Sequence, residues 1–120
     1  MSLQLAIKIL ESVPTQRGKQ RLCSVITDRK GNILSIGQNS YVKTHPLQAT
    51  VAKRAGKEES CFLHSEIAAL VKLKGKDKKR ANKMYIARLM KNGQTGLAMP
   101  CPICQLALKE YNIKEVSYTA

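Results

Sequence analysis

Two stretches constrain the fold of this chain more than any other feature: CFLHSEIAAL, from Cys61 to Leu70, and PCPIC, from Pro100 to Cys104. Each carries metal-binding side chains at the start of a predicted helix. Cys101 and Cys104 stand three positions apart, a spacing that sets both sulfurs on one side of a helix. The positive end of the helix dipole favours thiolates there. His64 supplies an imidazole at the start of the other helix. Two thiolates and one imidazole suit zinc, and three protein ligands leave a fourth tetrahedral position open, as catalytic zinc sites do. Water in such a position loses a proton near neutral pH. Glu66, two residues after His64, is placed to act on that proton as an acid/base group without being a ligand. A fold that uses these residues together has to bring two helix starts side by side.

The periodicities of the chain supply such a fold. Leu3, Ala6, Ile7 and Leu10 have helical spacing, and Pro14 ends that pattern. RLCSVITD and NILSIGQN read as two strands, with Asp28, Gly31 and Asn32 giving turn chemistry between them, so they form a β-hairpin. The polar stretch that follows contains a short helix around Gln48 to Arg54. HSEIAALVKL is a helix with Ile67, Leu70, Val71 and Leu73 on its buried side, ended by Gly75 and a lysine run. KMYIARLMK is a strand, NGQTGLAM a loop, CPICQLALKEYN a helix and IKEVSYTA a last strand. Pro102 falls in the first turn of its helix, where a missing N–H costs little. The order α–β–β–α–β–α–β predicts an α/β fold, a mixed sheet of about four to five strands with helices on both faces. A chain of 120 residues, read as one domain spanning residues 1–120, needs neither disulfide nor metal merely to fold.

Charge narrows the partners. Lys and Arg total 21 against 8 Asp and Glu, a net charge of +13, which implies phosphate-bearing partners, whether nucleotides or nucleic acid. The densest cluster, KLKGKDKKRANK from Lys72 to Lys83, holds seven basic residues and one acidic. Read alone, it is equally a solvated helix end that keeps the protein in solution. No apolar run approaches the length of a membrane span, so no membrane partner is expected. MSLQLAIKIL resembles neither a secretory nor a mitochondrial leader. The expected compartment is a reducing cytoplasm, where cysteine clusters favour metal over disulfide. Cys23, in the apolar run LCSVIT, reads as a small core residue.

HSE followed by PCPIC resembles the signature of the zinc-dependent cytidine/deoxycytidylate deaminase superfamily, His-x-Glu and then Pro-Cys-x-x-Cys. The likeness extends to the element order, and SIGQNSY is similar to the family's second-strand end, where Gly-x-Asn brings an asparagine to the substrate pocket. The resemblance implies a cytidine-deaminase-like three-layer fold, Zn2+ held by His64, Cys101 and Cys104, and Glu66 as proton shuttle. It further implies substrate contacts from Asn39, from the backbone N–H of Ser65 and from Pro100. The family often has alanine at the position of Ser65. YVKTHP directly follows this region and is expected to line the entrance, with Lys43 as a phosphate contact and His45 as a base or sugar contact. The bland readings are a solvated loop lysine and a loop hydrogen bond, and His45 is also a candidate fourth zinc ligand.

The implied reaction is hydrolytic deamination of an amino-nucleobase, cytosine in a nucleoside or nucleotide being expected before a base in tRNA or single-stranded DNA. Few aromatic side chains are available to stack single strands, at 4% of residues. The sequence stops after its fourth predicted strand, where many similar proteins continue, so one wall of the pocket is expected to be missing or to come from a neighbouring subunit of a homodimer or homotetramer. A reading from another class uses Cys61, His64, Cys101 and Cys104 as a closed structural zinc set in a nucleic-acid-binding module. That reading leaves Glu66 without a role.

Overall fold

The computed structural model describes residues 3–11, 21–39, 64–90, 94–100 and 102–120. Four strands form one sheet: β1 (Arg21–Thr27), β2 (Ile33–Gln38), β3 (Lys83–Leu89) and β4 (Glu115–Tyr118), in the order β2-β1-β3-β4. β1 pairs antiparallel with both β2 and β3, and β3 pairs parallel with β4. The helices among the described residues are α1 (Leu3–Glu11), α2 (Ser65–Val71), α3 (Lys76–Arg80) and α4 (Pro102–Glu110). The predicted mixed sheet is present. The short helix expected around Gln48 to Arg54 lies outside the described residues.

Strand parity assigns the two faces. Cys23 and Val25 of β1, with Ala87 and Leu89 of β3, pack on Ala6 and Leu10 of α1. Ile26 of β1, with Met84 and Ile86 of β3, packs on Ile67 and Leu70 of α2 and on Cys104, Ala107 and Leu108 of α4. Helices therefore cover both faces, and the middles of the two central strands are buried on both sides, with Cys23, Val25, Ile26, Met84, Ile86 and Ala87 all in the core. Cys23 is the core residue its context suggests: its thiol lies 3.6 Å from the Ala6 carbonyl oxygen as donor, and burial pushes its pKa up to about 11.

The hairpin turn is organised by one side chain. Asp28 Oδ1 accepts from the backbone N–H groups of Lys30 and Asn32, each at 2.9 Å, and Oδ2 accepts from Asn32 Nδ2 at 3.0 Å. Gly31, at φ 91, takes the left-handed step that the turn requires.

Two details of the helices differ from expectation. α2 is buried over Ser65 to Leu70 rather than along one side, because it packs against β1 and β2 and also meets α4. Gly37 makes this possible: a Cβ there would collide with Ala69 N and Ser65 O and lie 2.8 Å from the Ala68 carbonyl carbon. The lysine run, expected as helix end and loop, contains the five-residue helix α3, which begins after Gly75 at φ 48. Its Asp77 sits in the first turn and Lys78, Lys79 and Arg80 in the last, the order that the helix dipole favours.

Candidate metal centre

α2 and α4 deliver the two halves of the expected site to one place. His64 is the N-cap of α2, in extended backbone conformation, and its carbonyl accepts from the Ala68 N–H at 2.9 Å. Its ring is not used to cap the helix. Instead Nδ1 lies 3.3 Å from Sγ of Cys104, a buried residue in the first turn of α4. Zinc bonded at about 2.0 Å to nitrogen and about 2.3 Å to sulfur, with tetrahedral angles, separates those two atoms by about 3.5 Å. The observed separation fits that donor pair, and it selects Nδ1 as the ring atom turned toward the sulfur. Cys101 immediately precedes α4 and lies outside the described residues, as do Lys43, His45 and Cys61. No cluster of three metal-binding side chains occurs among the described residues.

Glu66 is buried, 5% exposed, in the first turn of α2. Its Oε1 accepts a 2.8 Å hydrogen bond from Ser65 Oγ, and Ser65 Oγ lies 2.8 Å from Ser24 Oγ on β1. The Ser65 proton is committed to the carboxylate, so Ser24 is the donor in the second bond. Sequence reasoning gave Ser65 only a backbone role and gave Ser24 none. The one available signal is a hydroxyl in the middle of the apolar run LCSVIT, on the same strand face as Ile26.

Asn39 follows β2. Its Oδ1 accepts from Leu22 N–H at 3.0 Å and its own N–H donates to the Leu22 carbonyl at 3.2 Å, so it closes the β1–β2 ladder. The carbonyl half of its amide is thus engaged by the sheet, while Nδ2 retains donor capacity. Pro100 is buried and its carbonyl oxygen accepts from Gln105 Nε2 at 2.8 Å. That bond ties the approach segment to α4. The same segment is fastened to the sheet through Thr119, whose carbonyl accepts from Ala98 N–H at 2.9 Å and whose hydroxyl donates to the Gly96 carbonyl at 2.7 Å.

The family model for the cytidine and deoxycytidylate deaminase zinc-binding region matches residues 2–120. The chain belongs to that deaminase family. Zinc is therefore its cofactor, as the His64–Cys104 pairing also indicates by its chemistry. No curated relative matches the chain significantly. No helix among the described residues is long and apolar enough to cross a membrane. For a deaminase-family domain, the arrangement of α2 and α4 unites an imidazole, a thiol and a buried carboxylate within a few residues of two adjacent helix starts.

Proposed function

We propose that this chain is a zinc-dependent hydrolytic deaminase of an amino-nucleobase, with cytosine in a nucleoside or nucleotide as its substrate. The observation that carries the reading is the 3.3 Å approach of His64 Nδ1 to Cys104 Sγ, with buried Glu66 two residues along the same helix. His64, Cys101 and Cys104 would hold the metal, which when bound supplies a Lewis acid that makes water a nucleophile near neutral pH.

The protein's own residues do the rest. Glu66 takes a proton from the attacking water and gives it to the ring nitrogen beside the amine-bearing carbon. Water oxygen bonds to that carbon; Glu66 then takes the remaining proton from the new hydroxyl and passes it to the amine nitrogen, the C–N bond breaks, and ammonia leaves as the carbonyl forms. Ser65 holds one carboxylate oxygen, which leaves the other to carry the proton. The backbone N–H of Ser65 and the Nδ2 group of Asn39 are donors suited to the base or sugar. Lys43 and His45 are proposed at the entrance, and Pro100 at the pocket wall. Cytosine is favoured by the cytidine and deoxycytidylate family model that spans the chain.

The test is ammonia release by zinc-loaded protein from cytosine, adenine and guanine, each as base, nucleoside, monophosphate and single-stranded oligomer. Release from cytidine or deoxycytidylate, and not from the purines, is expected. Release from adenine or guanine forms alone overturns the substrate assignment. A second reading, a base within a polynucleotide, is favoured by a separate observation: cations from three chain segments line one groove.

A further inference from the structure

The groove lies at the opposite end of the sheet from His64 and Cys104. Arg29 comes from the hairpin turn, Lys78, Lys79 and Arg80 from α3, and Lys114 from the segment entering β4. Together they border an open cavity of ≈ 630 Å³. Its frame is built. Arg80 Nη2 bonds Asp28 Oδ2 at 2.8 Å, which fastens α3 to the hairpin. The Asn82 N–H donates to the Thr27 carbonyl at 3.0 Å, and the Asn82 carbonyl accepts from the Lys114 N–H at 2.9 Å, which joins β1 to the start of β4. Asn112, at φ 59, ends α4 in the left-handed conformation and sends the chain to Lys114.

Arg80 is committed to Asp28 and Asp77. The other described ion pair is Lys83–Glu115. Arg29, Lys78, Lys79 and Lys114 are exposed and enter no ion pair among the described residues. Four positive charges thus face one groove, and the fold holds them near each other against their repulsion.

We propose that this groove binds the sugar-phosphate backbone of a nucleic acid. The chemistry of the lining selects that occupant. All the cations are long, exposed and spread over three segments, which suits several spaced phosphates better than one enclosed phosphate. No aromatic side chain lines the groove, so bases are not stacked or read there. The one apolar lining residue, Ala81, is buried. The groove therefore lacks both the apolar face that inserts into a lipid surface and the anchor pocket of a protein interface.

Position argues the same way. Ser65 meets Ser24 at the start of α2, whereas the groove opens at Arg29, five residues further along the hairpin. At about 3.3 Å per strand residue, the three steps from Ser24 to the end of β1 at Thr27 already cover on the order of 10 Å, and Arg29 lies beyond. A mononucleotide with its base beside His64 would not place its own phosphate in the groove, while a strand of several nucleotides spans the distance. The distance bears on the occupant only where the base sits beside His64, and so rests on the deamination reading, whereas binding of a strand to the groove is measured without turnover.

The experiment is anisotropy of a labelled 20-nucleotide single strand with the full zinc-loaded chain, titrated at several salt concentrations. Lys79→Gln/Lys114→Gln should weaken binding about tenfold at 0.1 M salt and reduce the slope of log K against log salt by about 1.4. The double change Lys8→Gln/Arg21→Gln, on α1 and at the far end of β1 from the groove, should leave the slope nearly unchanged, and Lys79→Arg/Lys114→Arg should bind as the parent does. Glu66→Ala should bind normally whether or not the protein deaminates anything, so the two proposals fail separately. Equal losses from the two glutamine pairs would reduce the effect to diffuse net charge and overturn the proposal. So would competition by a nucleoside triphosphate as effective per molecule as the oligomer's, or equal capture by anionic vesicles.

Discussion

Ser65 donates its hydroxyl proton to Glu66 across 2.8 Å and receives one from Ser24 at the same distance. The chain of donors crosses from β1 to α2 and ends on a buried carboxylate, so each hydroxyl has one assigned direction. Removing Ser65 leaves the Ser24 proton without an acceptor and Glu66 without a donor. Removing Ser24 leaves only an unfilled acceptor on Ser65. Ser65→Ala should therefore cost roughly 1–3 kcal/mol and Ser24→Ala less. The double change should cost less than the sum, because the orphaned Ser24 proton disappears with its owner. Urea unfolding of all four proteins closes the cycle, and strictly additive costs would remove the cooperative chain.

Glu66→Gln preserves size and burial while removing the proton-accepting oxygen. Metal content should match the parent, since Glu66 is not proposed as a ligand. Turnover should fall by about 10²–10⁴, the usual worth of a positioned acid/base group. Metal analysis alongside ammonia release separates the outcomes. Unchanged release would remove Glu66 from the mechanism, and lost metal would make it a ligand.

The closed structural-zinc reading and the open catalytic one divide at Cys61. Cys61→Ser should retain one zinc per chain, whereas His64→Ala and Cys104→Ser should lose most of it. With cobalt in place of zinc, the absorption of Cys61→Ser should match the parent. A shifted band together with weakened binding would assign Cys61 as the fourth ligand, and the metal would then be structural.

The halves of the site were legible because metal chemistry admits few residue types and helix geometry fixes their spacing. HSE and PCPIC carry that information in adjacent positions, and the structure brings His64 to Cys104. The hairpin was legible for the same local reason, since Asp28, Gly31 and Asn32 make their bonds within one turn. The Ser24–Ser65 bond was not, because it exists only once strand parity turns Ser24 toward α2. Burial of α2 on all sides was hidden too: the sequence shows an apolar stripe, and the close approach depends on a glycine in another element. The cationic groove is the extreme case. Arg29, Lys79 and Lys114 are far apart in sequence, and tertiary bonds such as those of Asn82 and Asp28 gather them.

Gly37 sits where β2 touches the α2 backbone, and the atoms that a Cβ would strike belong to main chain. No rotamer change can relieve that overlap, so α2 has to move away from the sheet. Gly37→Ala should destabilise the fold by at least roughly 1–3 kcal/mol, the usual cost of overpacking. Because His64 and Glu66 ride on the same helix, zinc affinity should drop as well. Thermal unfolding with and without zinc measures both effects. A variant with parental stability and affinity would show that α2 does not depend on this contact.

Asp28 links the hairpin to α3, and its protonation sets a limit on stability in acid. Hydrogen bonds from the Asn32 side chain and backbone, then from Arg80 and the Lys30 N–H, hold its carboxyl well below the ordinary value of 3.8, against the opposing effect of burial. The folded protein thus binds a proton at this site more weakly than the unfolded chain does. The resulting stabilisation is complete above the unfolded value. It is lost as pH falls below about 4 toward the depressed folded value. Asp28→Asn removes the charge at every pH. Its melting temperature should lie below the parent's at pH 7, and the gap should narrow steadily between about pH 4 and pH 2. Circular dichroism melts across that range provide the check. A gap that stayed constant into strong acid would mean that the Asp28 charge contributes nothing, and that the turn and α3 are held by the neutral hydrogen bonds alone.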